Sequence, residues 1–154
     1  VRLTGFTDVG LRILIRLAAE DGRQRISTRQ IAEDMQISYT HATKACARLA
    51  ASGWLDADRG RGGGLALTAG GRTARLGDVV RSLEDDDDSE LVDCSGLDCP
   101  LQSGCRLRAA LAVAKAAFYA SLNTTTVADL AQPPTRNLLI SLGAPAAQID
   151  SRAD

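Results

Sequence analysis

Apolar side chains between residues 5 and 20 fall at Phe6, Val9, Ile13, Leu14 and Leu17, the spacing of one helical face. Thr4 or Thr7 can cap the start of that helix, and Asp8 falls in or near its first turn, where a carboxylate is favourable. Asp21-Gly22 marks its end. A short helix is predicted over 28–35, with Ile31, Ala32 and Met35 facing inward, followed by a turn at Gln36-Ile37. Ser38 is then placed to cap a third helix that stops at Gly53. Two short helices joined by a tight turn form a helix-turn-helix pattern. WLDAD, RGRGGG and LALT then read as two short strands around a glycine-rich basic tip, a hairpin that makes the pattern winged. GDVVRSLE at 77–84 reads as a further short helix.

Residues 85–104 hold four consecutive aspartates, then Gly96, Pro100 and Gly104, and read as loop. From Cys105 a long helix is predicted to about Leu122, with Leu107, Leu111, Ala114, Phe118 and Leu122 close to a coiled-coil seam. Little chain remains for that stripe to pack on, so a second copy is the expected partner. The remainder, with Thr126–Leu130 and a helix near Arg136–Leu142, carries little pattern. The expected fold is mainly α. It comprises a winged helix-turn-helix domain (1–84), a loop (85–104), a dimerisation helix (105–125) and a C-terminal extension (126–154).

Composition sharpens this picture. Hydrophobic residues make up 45% of the 154 but aromatics only 3%, so the core must be built from Leu, Ile, Val and Ala. No run approaches the roughly 20 apolar residues of a membrane span, and no export signal opens the chain, so a reducing cytoplasm is expected. In that compartment clustered cysteines are more often metal-binding or redox-active than disulfide-bonded. The net charge of −1 divides unevenly: residues 1–75 carry 12 Lys/Arg against 7 Asp/Glu, and residues 76–154 carry 6 against 12. A basic front half suits a polyanion, and the order of elements makes that polyanion double-stranded DNA.

The residues expected at DNA follow from the elements. A recognition helix presents its N-terminal side chains to base edges and its flanks to phosphates. Those N-terminal residues are Ser38, Tyr39, Thr40 and His41, with Lys44 and Arg48 on later turns suited to phosphate. Thr28, Arg29 and Gln30 on the preceding helix can grip the backbone. Arg59 and Arg61 at the wing tip, set among glycines, fit a minor groove about 6 Å wide.

Cys94, Cys99 and Cys105 stand in LVDCSGLDCPLQSGCRL at C-x4-C-x5-C spacing. Three thiolates suit a soft metal centre but leave a four-coordinate site one ligand short. The only histidine, His41, lies in the DNA-reading helix, and Cys46, among Ala45, Leu49 and Ala50, reads as a buried small hydrophobe. An iron–sulfur cluster tolerates this spacing better than zinc, which usually closes with paired cysteines or histidine. Zinc and free redox thiols remain alternatives, and Asp93 and Asp98 are oxygen donors within the loop.

RLTGFTDVGLRILIRLA, ISYTHATKACARLAASGWLDADRGRGGGLAL, LGDVVRSLE and the three-cysteine loop together resemble the bacterial winged-helix iron–sulfur repressors over roughly residues 1–125. The likeness is greatest to the nitric-oxide-sensing branch. The cysteine-metabolism branch lacks the triad, and the cluster-biogenesis branch has a histidine shortly after the third cysteine, where this chain has Arg106, Leu107 and Arg108. The resemblance implies a 4Fe–4S cluster (a 2Fe–2S cluster being the alternative) held by Cys94, Cys99, Cys105 and the Asp8 of the partner subunit in a homodimer. It implies operator release when nitric oxide attacks the cluster. Arg12, four residues beyond Asp8, can then take up its carboxylate. Competing readings are a redox-status regulator of the cluster-biogenesis kind and a zinc-stabilised DNA-binding adaptor. An enzyme is not expected, since the chain has no nucleotide-binding glycine fingerprint and no C-x2-C pair.

Overall fold

The computed structural model describes residues 2–20, 24–58, 60, 62–85, 90–92, 94, 99–101 and 104–143. Helix α1 (Gly5–Ala18) is the central element. Thr4 caps it by accepting the Thr7 N–H at 3.2 Å, and Val9, Ile13, Leu14 and Leu17 are buried as the periodicity predicts. It packs on α3 (Tyr39–Ala51), β2 (Gly64–Leu67), α5 (Leu76–Leu83) and α7 (Val127–Leu130). Gly10 lets α1 and α5 approach closely, since a Cβ there would stand 2.7 Å from Leu83 Cδ1.

The helix-turn-helix is α2 (Thr28–Asp34) and α3 (Tyr39–Ala51). Ile31 of α2 and Ala42, Ala45, Cys46 and Leu49 of α3 face the core. The turn between them uses Gln36 at φ 51, a left-handed conformation uncommon outside glycine. The Ile37 N–H closes that turn on the Ala32 carbonyl at 2.9 Å. Ser38 takes the N-cap position of α3 but its hydroxyl makes no cap bond, whereas Ser27 caps α2 through the Gln30 N–H at 3.1 Å. The wing is an antiparallel pair, β1 (Leu55–Asp58) and β2 (Gly64–Leu67), registered Leu55 to Leu67 and Asp58 to Gly64. A short α4 (Ala69–Thr73) follows, for which no periodicity prepared. The Thr68 hydroxyl caps it at the Gly71 N–H, 2.8 Å away.

Helix α6 runs Arg106–Leu122 with Cys105 at its N-cap. Its expected apolar stripe is largely uncovered: Leu107 is 61% exposed, and Leu111, Phe118 and Leu122 are half-buried. The buried residue of α6 is Tyr119, which the heptad spacing left out. It is held against α5, with the Arg81 guanidinium 4.4 Å from its ring centroid. Helix α7 returns to α1 and α4, burying Val127, whose N–H bonds the Ala74 carbonyl at 3.0 Å. Helix α8 (Thr135–Gly143) closes the described chain. Among the described residues no helix is long and apolar enough to cross a membrane. The fold is mainly helical with one two-stranded sheet, as expected.

Candidate nucleic-acid interface and metal centre

The inward face of α3 is fixed by Ala42, Ala45, Cys46 and Leu49, so Tyr39, Thr40, His41, Lys44 and Arg48 stand on the exposed side. Thr40, Lys44 and Arg48 are four residues apart and form one row along the helix. Ser38 is exposed at the start of that face. Thr28 is half-buried, while Arg29 and Gln30 are exposed at the beginning of α2. The Arg29 guanidinium lies 5.0 Å from the Tyr39 ring centroid, which joins the two helices by a cation–π contact at the exposed surface. Gln30 Nε2 donates to Asp34 at 2.6 Å.

Arg48 differs from Lys44. Its Nη2 donates to the Ser82 carbonyl at 2.8 Å and pairs with the Asp85 carboxylate. Its guanidinium is thus engaged through Nη2 at the end of α5. Composition alone could not show this, because Asp85 is 37 residues away along the chain.

At the wing tip Gly60 and Gly62 have φ of 110 and 78, and the Gly63 N–H closes a turn on the Gly60 carbonyl at 3.0 Å. Arg59 and Arg61 lie outside the described residues. The base of the wing is joined to the segment before α2. Ile26 bridges Leu65, and Arg25 donates to the Asp56 and Gly64 carbonyls at 3.3 Å and pairs with the Asp56 carboxylate.

The cysteines divide as expected between core and loop. Cys46 is 5% exposed, and burial pushes its thiol up to about 11 against an opposing hydrogen bond from Thr28. Cys94, Cys99 and Cys105 form no disulfide and are half-buried. Cys105 Sγ accepts the Arg108 N–H at 3.5 Å as the cap of α6. The Arg108 guanidinium donates through Nε to both Glu90 carboxylate oxygens at 2.7 and 2.8 Å. Its pKa is raised, first by Glu90 and then by the nearby Cys94 and Cys105. Arg108, bound to Glu90, thus carries a positive charge within electrostatic reach of Cys94 and Cys105, a residue whose role the sequence did not signal. Next to it a 660 Å³ cleft is lined by Glu90, Leu91, Val92, Cys105, Arg108 and Leu111.

The donor set suits a soft metal centre: three thiols in no disulfide on one loop, two of them within electrostatic reach of one guanidinium. Among the described residues no three Cys, His, Asp or Glu side chains are already gathered for a metal ion. Asp93 and Asp98 lie outside the described residues. Asp8 lines a different cleft with Arg2, Leu3, Thr4, Gly5 and Leu11, and its carboxylate pairs with Arg12 Nε at 2.9 Å. No cysteine lines that cleft.

The sequence matches the model of the Rrf2 family, described as iron-dependent transcriptional regulators, over residues 3–133. The chain belongs to this family. It is 50% identical over 144 residues to the HTH-type transcriptional repressor NsrR of Streptomyces coelicolor, covering 92% of this chain and 96% of that protein. Its fold is similar to that of CymR, the global cysteine regulator of B. subtilis (TM-score 0.68, 25% identity, 85% of this chain and 96% of that one). It is also similar to T. potens IscR (TM-score 0.63, 22% identity, 84% of this chain and 85% of that one), a likeness of fold alone. As a member of the Rrf2 family, the chain is a transcriptional regulator.

Proposed function

We propose that the chain is a homodimeric repressor that binds operator DNA and releases it on exposure to nitric oxide, which it senses through a 4Fe–4S cluster. The observation that carries this reading is the 50% identity to the repressor NsrR over 92% of the chain. It is supported by the three thiols, none in a disulfide, at the loop between α5 and α6.

In this reading α3 enters the major groove. Tyr39, Thr40 and His41 meet base edges, and Lys44 meets phosphate. Arg29, held by Tyr39, and Thr28 and Gln30 at the start of α2 hold the backbone, while Arg59 and Arg61 of the wing reach the minor groove. Cys94, Cys99 and Cys105 would hold the cluster from one subunit, and the carboxylate of Asp8 of the partner subunit would complete the ligand set. The cluster, when bound, supplies an iron site open to nitric oxide, most accessible where the harder, weaker carboxylate ligand sits. Asp8 lies on α1, which packs directly on α3. A bond from Asp8 across the dimer therefore ties the recognition helix of one subunit to the cysteine loop of the other. When Asp8 is not so committed, Arg12 takes its carboxylate and the two recognition helices lose their fixed spacing. That spacing has to match half-sites about 34–36 Å apart.

Anaerobic purification followed by titration tests the proposal. A brown dimer absorbing at about 400 nm is expected, losing DNA affinity with nitric oxide at lower doses than with oxygen or peroxide. A colourless zinc protein, or operator binding indifferent to nitric oxide, would overturn it.

A further inference from the structure

We propose that Asp85 is an intramolecular competitor of DNA for Arg48, an autoinhibitory contact between the segment leading to the cysteine loop and the recognition helix. The inference rests on the reading of α3 as the helix that meets DNA.

Arg48 continues the exposed row of Thr40 and Lys44 along α3, where a guanidinium would reach the phosphate backbone. Both protons of its Nη2 are engaged elsewhere, one by the Ser82 carbonyl at 2.8 Å and one by the Asp85 carboxylate. Those N–H groups are unavailable to a phosphate while the contact holds. The contact depends on an unusual backbone. Asp85 follows the C-cap of α5 and takes φ 50, turning the chain so that its side chain meets α3. Ser52 at the end of α3 and Ser82 on α5 lie with their hydroxyls 3.5 Å apart, so the two helix ends adjoin at this point.

Exposure decides between a rigid brace and a reversible latch. The Arg48 and Asp85 side chains are 41% and 71% exposed, against 13% and 10% for Arg16 and Asp34, the pair that joins α1 to α2. An exposed pair contributes little and is screened by salt, so the contact opens and closes while it competes with DNA for Arg48. Asp85 also opens the run Asp85–Asp88 that leads in sequence to Cys94.

The experiment measures binding of the full-length, anaerobically purified protein to a random-sequence 30-base-pair duplex across a salt series. The proteins are wild type, Asp85→Asn, Arg48→Ala, the double variant and Asp88→Asn. Asp85→Asn should bind about two- to fivefold more tightly at low salt. Its log K against log salt line should steepen by about 0.9, the slope of one added phosphate contact. Asp85→Asn should give no gain in the Arg48→Ala background. An unchanged or weakened Asp85→Asn overturns the inference. So does an equal gain in Asp88→Asn or in the Arg48→Ala background, because general charge removal would then explain it. Failure of the wild type to bind any duplex would instead strike the DNA-binding reading, and this inference with it.

Discussion

Arg16 and Asp34 join α1 to the end of α2 through a 2.7 Å hydrogen bond between side chains only 13% and 10% exposed. Asp34 also accepts from Gln30 at 2.6 Å, and Arg16 donates to Glu20 at 2.6 Å, so the pair is the centre of a four-residue polar network. Removing Arg16 leaves Asp34 Oδ2 shielded from water without its donor, while Oδ1 keeps the Gln30 hydrogen bond. Arg16→Met is therefore expected to lower unfolding stability by about 1–3 kcal/mol. Arg12→Ala, at an exposed pair on the same helix, should change it by less than about 0.5 kcal/mol. Urea denaturation of the two variants checks the contrast. Equal small losses would show that solvent reaches the Arg16–Asp34 pair.

Thiol chemistry should separate Cys46 from the loop cysteines. In the metal-free protein a thiol reagent at neutral pH is expected to modify Cys94, Cys99 and Cys105 quickly and Cys46 only after denaturant is added. The folded thiol of Cys46 ionises at about 11 because it is buried, against 9.0 for an ordinary thiol. Its raised value means the folded state holds the proton more tightly than the unfolded chain. The resulting stability is present below pH 9 and is lost as pH rises through about 11. Replacing Cys46 by Ala should flatten the fall of stability over that window by up to about 1.4 kcal/mol per pH unit. An unchanged alkaline slope would refute the burial argument.

The helices whose inner faces are regular were legible in the sequence. α1 shows its 3.6-residue spacing through Val9, Ile13, Leu14 and Leu17, and the same residues are buried. The hairpin was legible because glycines and short alternating runs leave few alternatives. Helix α4 was not: Ala69-Gly70-Gly71-Arg72-Thr73 has no apolar period, and its formation depends on the Thr68 cap. Tyr119 was missed for a related reason. Its burial depends on α5 and Arg81, a tertiary contact that competes with the seam read from leucine spacing. The three loop cysteines were visible as candidate ligands. Arg108, within electrostatic reach of two of them, was not, because a lone arginine after a cysteine has many uses. The choice of Asp8 over Asp93 or Asp98 came from family resemblance, since nothing in residue spacing favours a carboxylate 86 positions from Cys94.

Ligand replacement follows from the donor set. Substituting Ala for Cys94, Cys99 or Cys105 removes one of three soft donors and should abolish the iron–sulfur chromophore, because two thiolates are too few soft donors to retain it. Cys46→Ala should keep the chromophore. Iron and sulfide analysis of the four anaerobically purified variants checks this. Bleaching by Cys46→Ala, with survival of any loop variant, would place the centre elsewhere.

Lys44 and Arg48 share a row on α3, yet the structure predicts different behaviour. Lys44 makes no ion pair with a described residue, so Lys44→Ala should weaken binding at all sequences and reduce the salt slope by about one unit. Arg48 is engaged by Ser82 and Asp85, so Arg48→Ala should reduce the slope by much less. Equal reductions would mean that Arg48 is free for DNA in solution.

Asp8 and Arg12 pair at 2.9 Å on α1, with side chains 57% and 45% exposed, so neither partner is committed by burial. An exposed i,i+4 pair is worth about 0.2–0.5 kcal/mol, enough to receive the Asp8 carboxylate but too little to drive a change in dimer geometry. If Asp8 ties α1 to the cysteine loop of the other subunit, losing that tie must dominate the response, and Arg12 can only assist. Asp8→Ala should therefore still assemble a centre on the three cysteines, yet bind operator more weakly by about 5- to 150-fold, the usual span of an allosteric coupling. Asp8→Cys should retain the centre and respond more slowly to nitric oxide, since a thiolate is the better ligand for iron. Arg12→Ala should leave both the chromophore and operator affinity within about twofold of wild type. Operator titrations of the three anaerobic proteins, each matched for iron content, separate these outcomes. Normal operator binding by iron-loaded Asp8→Ala would remove Asp8 from the switch and leave the cysteine loop alone to carry the signal.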